Sequence, residues 1–244
     1  ILSTIESESY NNDIILIRNP YILDSLSYKY LHKTIIYGLN EDLSNLKMLN
    51  NRFSKVLTQS EKLKNLFKDN GIKEEKIIIQ EPIAYKYNFK LPKRSDNNIC
   101  LIYCGSLRDE ENILEIIERF KIIHNENPEI VLKIIYGKIT GNKYFIEKIY
   151  NYINNGVNGI TIKYKLSHKE ACYEIATSDV GICWRKPQWG NNGEISTKIK
   201  EYEMYNLNII TDSLLFNNKI IISLKNIKSN INNFLKDLLH IKKH

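Results

Sequence analysis

A chain of 244 residues, 43% hydrophobic and 26% charged, can bury one large or two modest cores, and this composition excludes a disordered or collagen-like protein. The net charge of +7 would suit an anionic partner, but lysines in a chain this rich in Ile, Asn and Lys are expected on solvated faces, so nucleic-acid binding is not expected. No secretion signal opens the chain, and no apolar run reaches the roughly 18 residues of a membrane span, which favours a cytoplasmic protein with at most peripheral membrane contact.

The four cysteines make no CxxC pair and fall on segments with strand or helix patterns. They are Cys100, Cys104, Cys172 and Cys183. Such cysteines are more often small core side chains than metal ligands, so we expect reduced thiols and no metal site.

The first third of the chain alternates short apolar runs with helical spacing. Strands are predicted at residues 13–18, 34–37, 55–58 and 76–79, and helices at residues 21–31, 42–53 and 60–71. Ser60 suits an N-cap and Gly71 a C-terminal stop. We therefore expect residues 1–86 to form a Rossmann-like domain, shorter than usual and incomplete.

Residues 82–98 lack periodicity and carry two prolines and a polar tetrad, as linkers do. We place the linker at residues 87–98 and a second domain at residues 99–244.

The second domain repeats the alternation with longer elements. Strands are predicted at residues 99–104, 131–136, 160–164, 180–183 and 208–211, and helices at residues 112–123, 143–152, 167–177 and 197–205. Ser167 and Glu170 have capping-box spacing. Strands separated by helices of this length indicate βαβ units, hence an α/β protein with two parallel-sheet domains facing a cleft. An amphipathic helix at residues 226–240 is expected to pack back on the body.

Ligands of open parallel sheets bind beyond the carboxyl ends of the strands. After the first strand of the second domain come Gly105, Ser106 and Arg108, and Gly137 follows the next strand. A glycine there admits a bulky group close to the backbone, and an arginine could meet an anion. These residues alone are weak evidence for a ligand site, because many glycine-containing turns of this kind bind no ligand.

The loop after Cys183 is richer in functional side chains. It begins with Trp184, Arg185 and Lys186, and it ends with Glu194 and Ile195. The helix that follows begins on hydroxyl residues, so its free N–H groups and dipole form an anion site.

Three residues at the start of this helix are candidates for holding a pyrophosphate through their N–H groups. They are Ser196, Thr197 and Lys198. Ser196 also suits the N-cap. Glu201 lies about a turn and a half further and could accept hydrogen bonds from a ribose, the alternative being a solvated helical glutamate.

Residues 196–202 (STKIKEY), followed by Asn206, Asn208 and residues 209–210, resemble the S-x-K-x-x-E-Y-x-x-x-G-x-P-V-I stretch of retaining GT-B fold glycosyltransferases of group one, family four-like. The resemblance extends over most of residues 99–212, including residues 103–107 and 166–170, and more weakly over residues 55–82. It implies two Rossmann-like domains and a UDP- or GDP-sugar donor as substrate, with no separate cofactor.

The resemblance also implies roles for individual residues. Glu201 would bind the donor ribose, Leu166 would be a donor contact, and Glu194 would be the first acid of the paired-glutamate motif, near the transferred sugar. Six residues separate the two acids instead of seven. The family's pyrophosphate cations are replaced here by Ser106 and Glu111.

If the activity is present, the positive charge must come from other residues. The candidates are Arg108, Arg185, Lys186 and Lys198. The chain has no Asp-x-Asp motif, which agrees with a metal-independent reaction, and retention is implied by the resemblance alone.

The sequence does not identify the residues that would bind the acceptor. The first domain is shorter than the family's and lacks its glycine-rich loop, so either the N-terminal half is missing or a partner chain supplies it. His32 is a candidate base, with a surface histidine as the favoured alternative. Two hypotheses follow: a glycosyltransferase acting on a glycan, lipid or protein acceptor, or a nucleotide-sugar-binding subunit or scaffold that needs a partner chain.

Overall fold

The computed structural model describes residues 14–18, 28–38, 53–91, 98–186 and 194–211. The predicted helix at 226–240 and nearly all of that at 42–53 lie outside them. Contacts divide the chain into two compact units, the first formed by Ile1–Pro82 with Asn192–Ile195 and the second by Ile83–Asn191 with Ser196–His244. None of the helices in the described residues is long and apolar enough to cross a membrane.

The first unit contains a parallel sheet of four short strands. In sheet order these are β1 (Ile15–Ile17), β2 (Thr34–Tyr37), β3 (Lys55–Thr58) and β4 (Ile77–Ile79), with the helices α1 (Tyr28–Leu31) and α2 (Glu61–Asp69) between them in the chain. Ser60 accepts a hydrogen bond from the Leu63 N–H at 3.2 Å, and Gly71 follows the helix with φ +87°. Both predicted ends of α2 are therefore confirmed.

The elements of the second unit alternate between strands of its main sheet and helices, apart from two strands of only two residues each. They are β5 (Ile99–Cys104), β6 (Leu107–Arg108), α3 (Ile113–Glu126), β7 (Ile130–Tyr136), β8 (Ile139–Thr140), α4 (Lys143–Asn155), β9 (Ile160–Tyr164), α5 (His168–Ala176), β10 (Val180–Cys183), α6 (Thr197–Met204) and β11 (Asn208–Thr211). The α/β fold with parallel sheets predicted from the sequence is confirmed.

The five-stranded sheet of the second unit has the order β11-β10-β5-β7-β9, with all neighbours parallel. The chain builds outward from β5 through β7 to β9, and then crosses to the other side of β5 for β10. The strand order thus reverses between β5 and β10. In open parallel sheets, the crevice at such a reversal is the usual ligand site.

Helices cover both faces of this sheet because its central strands are apolar on both sides. Leu101 and Tyr103 on β5 pack with Phe120 of α3, whereas Ile102 packs with Ile175 of α5 and Tyr202 of α6. Gly181 on β10 leaves room for the Tyr202 ring, which a Cβ there would overlap. The alternation along β5 fixes which helices reach each face.

Two local predictions in the second unit are also borne out. Ser167 and Glu170 form the expected capping box at the start of α5, with the Glu170 carboxylate accepting from the Ser167 N–H at 2.8 Å. The four cysteines are free thiols, three of them buried and Cys104 half-buried.

Glu174 on α5 is held by two lysines of the sheet. Its carboxylate lies 3.1 Å from Lys133 Nζ and 2.5 Å from Lys163 Nζ, and its side chain is 12% exposed. Burial would raise the pKa of Glu174, but the two lysines outweigh burial and leave the pKa below its ordinary value of 4.5. A carboxylate with a lowered pKa stabilises the fold above its unfolded pKa, and that stabilisation is lost as the pH falls.

We therefore expect Glu174→Gln to reduce the free energy of unfolding by about 2 kcal/mol at pH 7, with a difference from wild type that shrinks below about pH 4.5. Urea unfolding at pH 7 and pH 3.5 measures both values. Glu115→Gln, which removes an exposed pair with Arg119, is the control and should cost under about 0.5 kcal/mol. A deficit that is the same at both pH values would contradict the prediction.

Candidate functional site

The carboxyl ends of β5 and β10 lie side by side, because Val180 pairs with Leu101 and Gly181 with Ile102. The loop after β5 begins at Gly105, and the loop after β10 begins at Trp184. Helix α6 packs against β10 and β11, on the same side of the sheet as α5. The two loops that were selected from the sequence therefore meet at the strand-order reversal of one unit.

Lys198, in the first turn of α6, lies at the centre of this meeting point. Its Nζ is 5.1 Å from the centre of the Tyr103 ring, and it forms an ion pair with the Glu111 carboxylate. The aliphatic part of Lys198 passes over Gly105, where a Cβ atom would overlap the lysine Cε. The glycine predicted to admit a bulky group thus admits a side chain of the same protein.

A short 3-10 turn of three acidic residues, Asp109–Glu111, faces the predicted cations, and we call it the acidic turn. Glu111 pairs with Lys198 and lies 3.6 Å from Arg185 Nε. Asp109 pairs with Lys186 at 2.6 Å, and the Lys186 N–H donates to the Glu110 carbonyl at 2.8 Å. Three of the four cations predicted to meet a pyrophosphate are therefore paired with carboxylates.

The close approach of Lys198 to Gly105 leads to a prediction. We expect Gly105→Ala to lower the free energy of unfolding by about 1–3 kcal/mol, because the added methyl group displaces a buried, ion-paired lysine. Gly137→Ala is the matched control, since a Cβ at that strand-end glycine meets no atom within 4 Å. Thermal or urea unfolding of both variants measures the difference, and equal stabilities would contradict the packing described.

Glu201 sits next to the start of α5. Its Oε1 atom is 3.2 Å from His168 Nε2, and the His168 Nδ1 is 3.3 Å from the Tyr87 hydroxyl. The Glu201 side chain is 22% exposed, so its carboxylate is held from one side and open to solvent on another. Sequence reasoning placed Glu201 here but missed His168 and Tyr87, whose segment, residues 83–91, packs on α5 and α6 through aromatic contacts.

Ser196 occupies the N-cap position of α6, as predicted, but its side chain makes no capping hydrogen bond there. The residue is buried, and its side chain lies close enough to Cys183, at the end of β10, to influence the pKa of that thiol. Burial raises the pKa of Cys183, and the Lys198 charge and the Ser196 side chain act against that rise. The first-turn N–H groups of α6 are not taken by the Ser196 hydroxyl.

The remaining candidates have other surroundings. Trp184 packs on the α3 side of the core with the Arg119 guanidinium 5.5 Å from its ring centre, and Leu166 packs on the α5 side. The Ser106 carbonyl accepts from the Tyr103 hydroxyl at 2.6 Å, while Arg108 is exposed on β6. The ligand roles of these four residues stay predictions.

Glu194 and Ile195 group with the first unit. The Ile195 N–H donates to Gln59 Oε1 at 2.7 Å, and Ile195 is buried. Glu194 is half-buried, and its role as an acid near the transferred sugar stays a prediction. Residues 187–193 of the predicted loop lie outside the described residues. Within the described ranges, no group of three or more His, Cys, Asp or Glu side chains is placed to hold a metal.

The fold is a Rossmann-like α/β fold of the GT-B class, with parallel sheets in both units. No protein-family model and no curated protein sequence matches the chain. Solved structures do resemble it, among them these three. HepE of Anabaena in complex with UDP and glucose has a TM-score of 0.66 and 13% identity, over 97% of this chain and 73% of that one.

The second is TarM, also solved from S. aureus with UDP and alpha-GlcNAc-glycerol, with a TM-score of 0.69 and 11% identity over 98% of this chain and 51% of that one. The third is the pneumococcal O-GlcNAc transferase GtfA with UDP and GlcNAc, with a TM-score of 0.60 and 13% identity, over 86% of this chain and 44% of that one. The chain thus spans about half of the length of the last two. At identities this low, the structural likeness shows the fold alone.

Proposed function

We propose that the protein is a glycosyltransferase that moves a sugar from a UDP- or GDP-sugar to a glycan, lipid or protein acceptor, without a metal and with retention of configuration. The observation that carries the proposal is the position of α6, which brings Lys198 and Glu201 to the strand-order reversal of a parallel sheet. The likeness of the fold to HepE and GtfA, both solved with UDP, supports a nucleotide-sugar donor.

Transfer of a sugar leaves negative charge on the departing nucleoside diphosphate. In a metal-free reaction, preorganised cations and N–H groups must stabilise that charge. Lys198, Arg185 and the first turn of α6 are the groups that would do so. Burial raises the pKa of Cys104 to about 12, so the thiol near Lys198 and Glu201 stays neutral and adds no competing charge.

Glu201 would accept hydrogen bonds from the ribose hydroxyls, because its carboxylate is fixed by His168 and partly open to solvent. Glu194 would lie near the transferred sugar, as the resemblance implies. A partner chain would supply further acceptor contacts. The reaction would take place in the cytoplasm, with at most peripheral contact to a membrane.

Calorimetric titration with UDP-, GDP- and dTDP-sugars, followed by an assay for slow donor hydrolysis, tests the function. We expect one nucleotide class to bind, to be hydrolysed slowly and to bind equally well in EDTA. Binding without any hydrolysis would indicate a nucleotide-sugar-binding subunit instead. Failure of every donor to bind would overturn the proposal, and a large loss of affinity in EDTA would overturn metal independence.

A further inference from the structure

Glu111 occupies the place where an anion would be held. Its carboxylate pairs with Lys198 and lies 3.6 Å from Arg185 Nε, and the Glu111 and Lys198 side chains are only 13% and 11% exposed. The pair is therefore largely shielded from solvent, where charges interact more strongly than at an open surface. A carboxylate of the protein itself lies against the two cations that the leaving diphosphate would need.

Binding of a diphosphate to these cations would cost free energy as long as Glu111 is paired with them. Like charges brought within about 4–6 Å of each other disfavour their charged forms. The diphosphate would have to draw Lys198 and Arg185 away from the carboxylate, and the free energy of the broken pair would be subtracted from its binding.

We propose that Glu111 is an internal competitor of the donor diphosphate: it holds Lys198 and Arg185 in the free protein and gives them up when the diphosphate binds. This inference rests on the proposed function, and it concerns the same site. Its consequence is a donor affinity lower than the cations alone would give. The affinity is set by a residue on the acidic turn that touches no part of the nucleoside.

The opposite role is also physically reasonable and gives the opposite result. If Glu111 served to orient Lys198 toward the phosphates, the loss of its charge would leave the lysine poorly placed. Removal of the carboxylate would then weaken diphosphate binding. The sign of the change in affinity therefore separates competition from positioning.

The experiment is calorimetric titration of wild type, Glu111→Gln and Glu110→Gln with UDP, uridine, GDP and guanosine. Glu110→Gln is the matched control, because it removes the same charge from an exposed neighbouring side chain of the acidic turn. For the nucleotide that wild type binds, we expect Glu111→Gln to raise the diphosphate affinity about tenfold, as loss of one charged hydrogen bond predicts. The nucleoside affinity should stay unchanged, and Glu110→Gln should change the diphosphate affinity less than about twofold.

Several outcomes would overturn the inference while leaving the proposed function in place. These are diphosphate affinity that is unchanged or lower in Glu111→Gln, an equal rise in Glu110→Gln, or an equal rise for nucleoside and diphosphate. A lower affinity together with a lower melting temperature would assign Glu111 a structural role. Failure of all three proteins to bind any of the four compounds would instead overturn the proposed function itself, and this inference with it.

Discussion

Replacement of Lys198 by methionine is expected to lower the affinity for the nucleoside diphosphate by at least about tenfold and to leave that for the nucleoside unchanged. Methionine keeps an apolar side chain over Gly105 and Tyr103 but removes the charge. It leaves the Glu111 carboxylate with Arg185 alone in a poorly solvated place. We therefore also expect the free energy of unfolding to fall by about 2–3 kcal/mol, less than for a fully buried pair because one cation remains.

The double variant Glu111→Gln, Lys198→Met separates the two effects. It should recover most of the lost stability, because no buried carboxylate remains unpaired, but it should not recover the diphosphate affinity. Lys200→Met on the same helix is the control, since it removes an equal charge whose pair with Glu203, at 3.5 Å, lies within α6. Urea unfolding and calorimetry supply both readouts, and wild-type diphosphate affinity in Lys198→Met would remove Lys198 from the site.

Substitution of Glu201 by alanine is expected to lower the affinity for both the diphosphate and the nucleoside, by about 10- to 100-fold. The ribose belongs to both ligands, and a hydrogen bond to a carboxylate contributes about 1.5–3 kcal/mol. The pattern differs from that of Lys198→Met, which affects only the diphosphate. Calorimetry with UDP, uridine and the 2′-deoxy analogue of UDP measures the difference, with the guanine compounds used if those bind.

Glu203→Ala, two residues further along α6, is the matched control, since it removes an equal charge and side chain from the same helix. It should leave all affinities within about twofold. Wild type should distinguish the ribose from the deoxyribose form more strongly than Glu201→Ala does. Equal binding of the nucleoside by wild type and Glu201→Ala would refute the ribose assignment.

The sequence predicted elements whose signals are local. Ser60 caps α2, and Ser167 and Glu170 close a capping box, because each bond joins residues three positions apart. The strands β5, β9, β10 and β11 begin and end where the apolar runs do. Ser196 begins α6 as predicted, but its side chain caps no N–H group of the helix.

Interactions between segments that lie far apart in the chain could not be predicted from the sequence. The sequence contains the acidic residues at 109–111, but no local pattern indicates that Glu111 contacts Lys198, 87 positions away. Likewise His168 belonged to a matched pattern, yet its contact with Glu201 depends on how α5 and α6 pack on one face of the sheet.

The sequence by itself determined that this protein is α/β with parallel sheets, because apolar periodicity and turn residues act over a few positions. It also selected Lys198 and Glu201 as the residues to test. Only the tertiary structure decided that β10 lies beside β5, that Lys198 crosses Gly105, and that the cations of the site are already paired with the acidic turn. Strand order and ion pairing depend on which distant surfaces bury each other, and no local pattern encodes that choice.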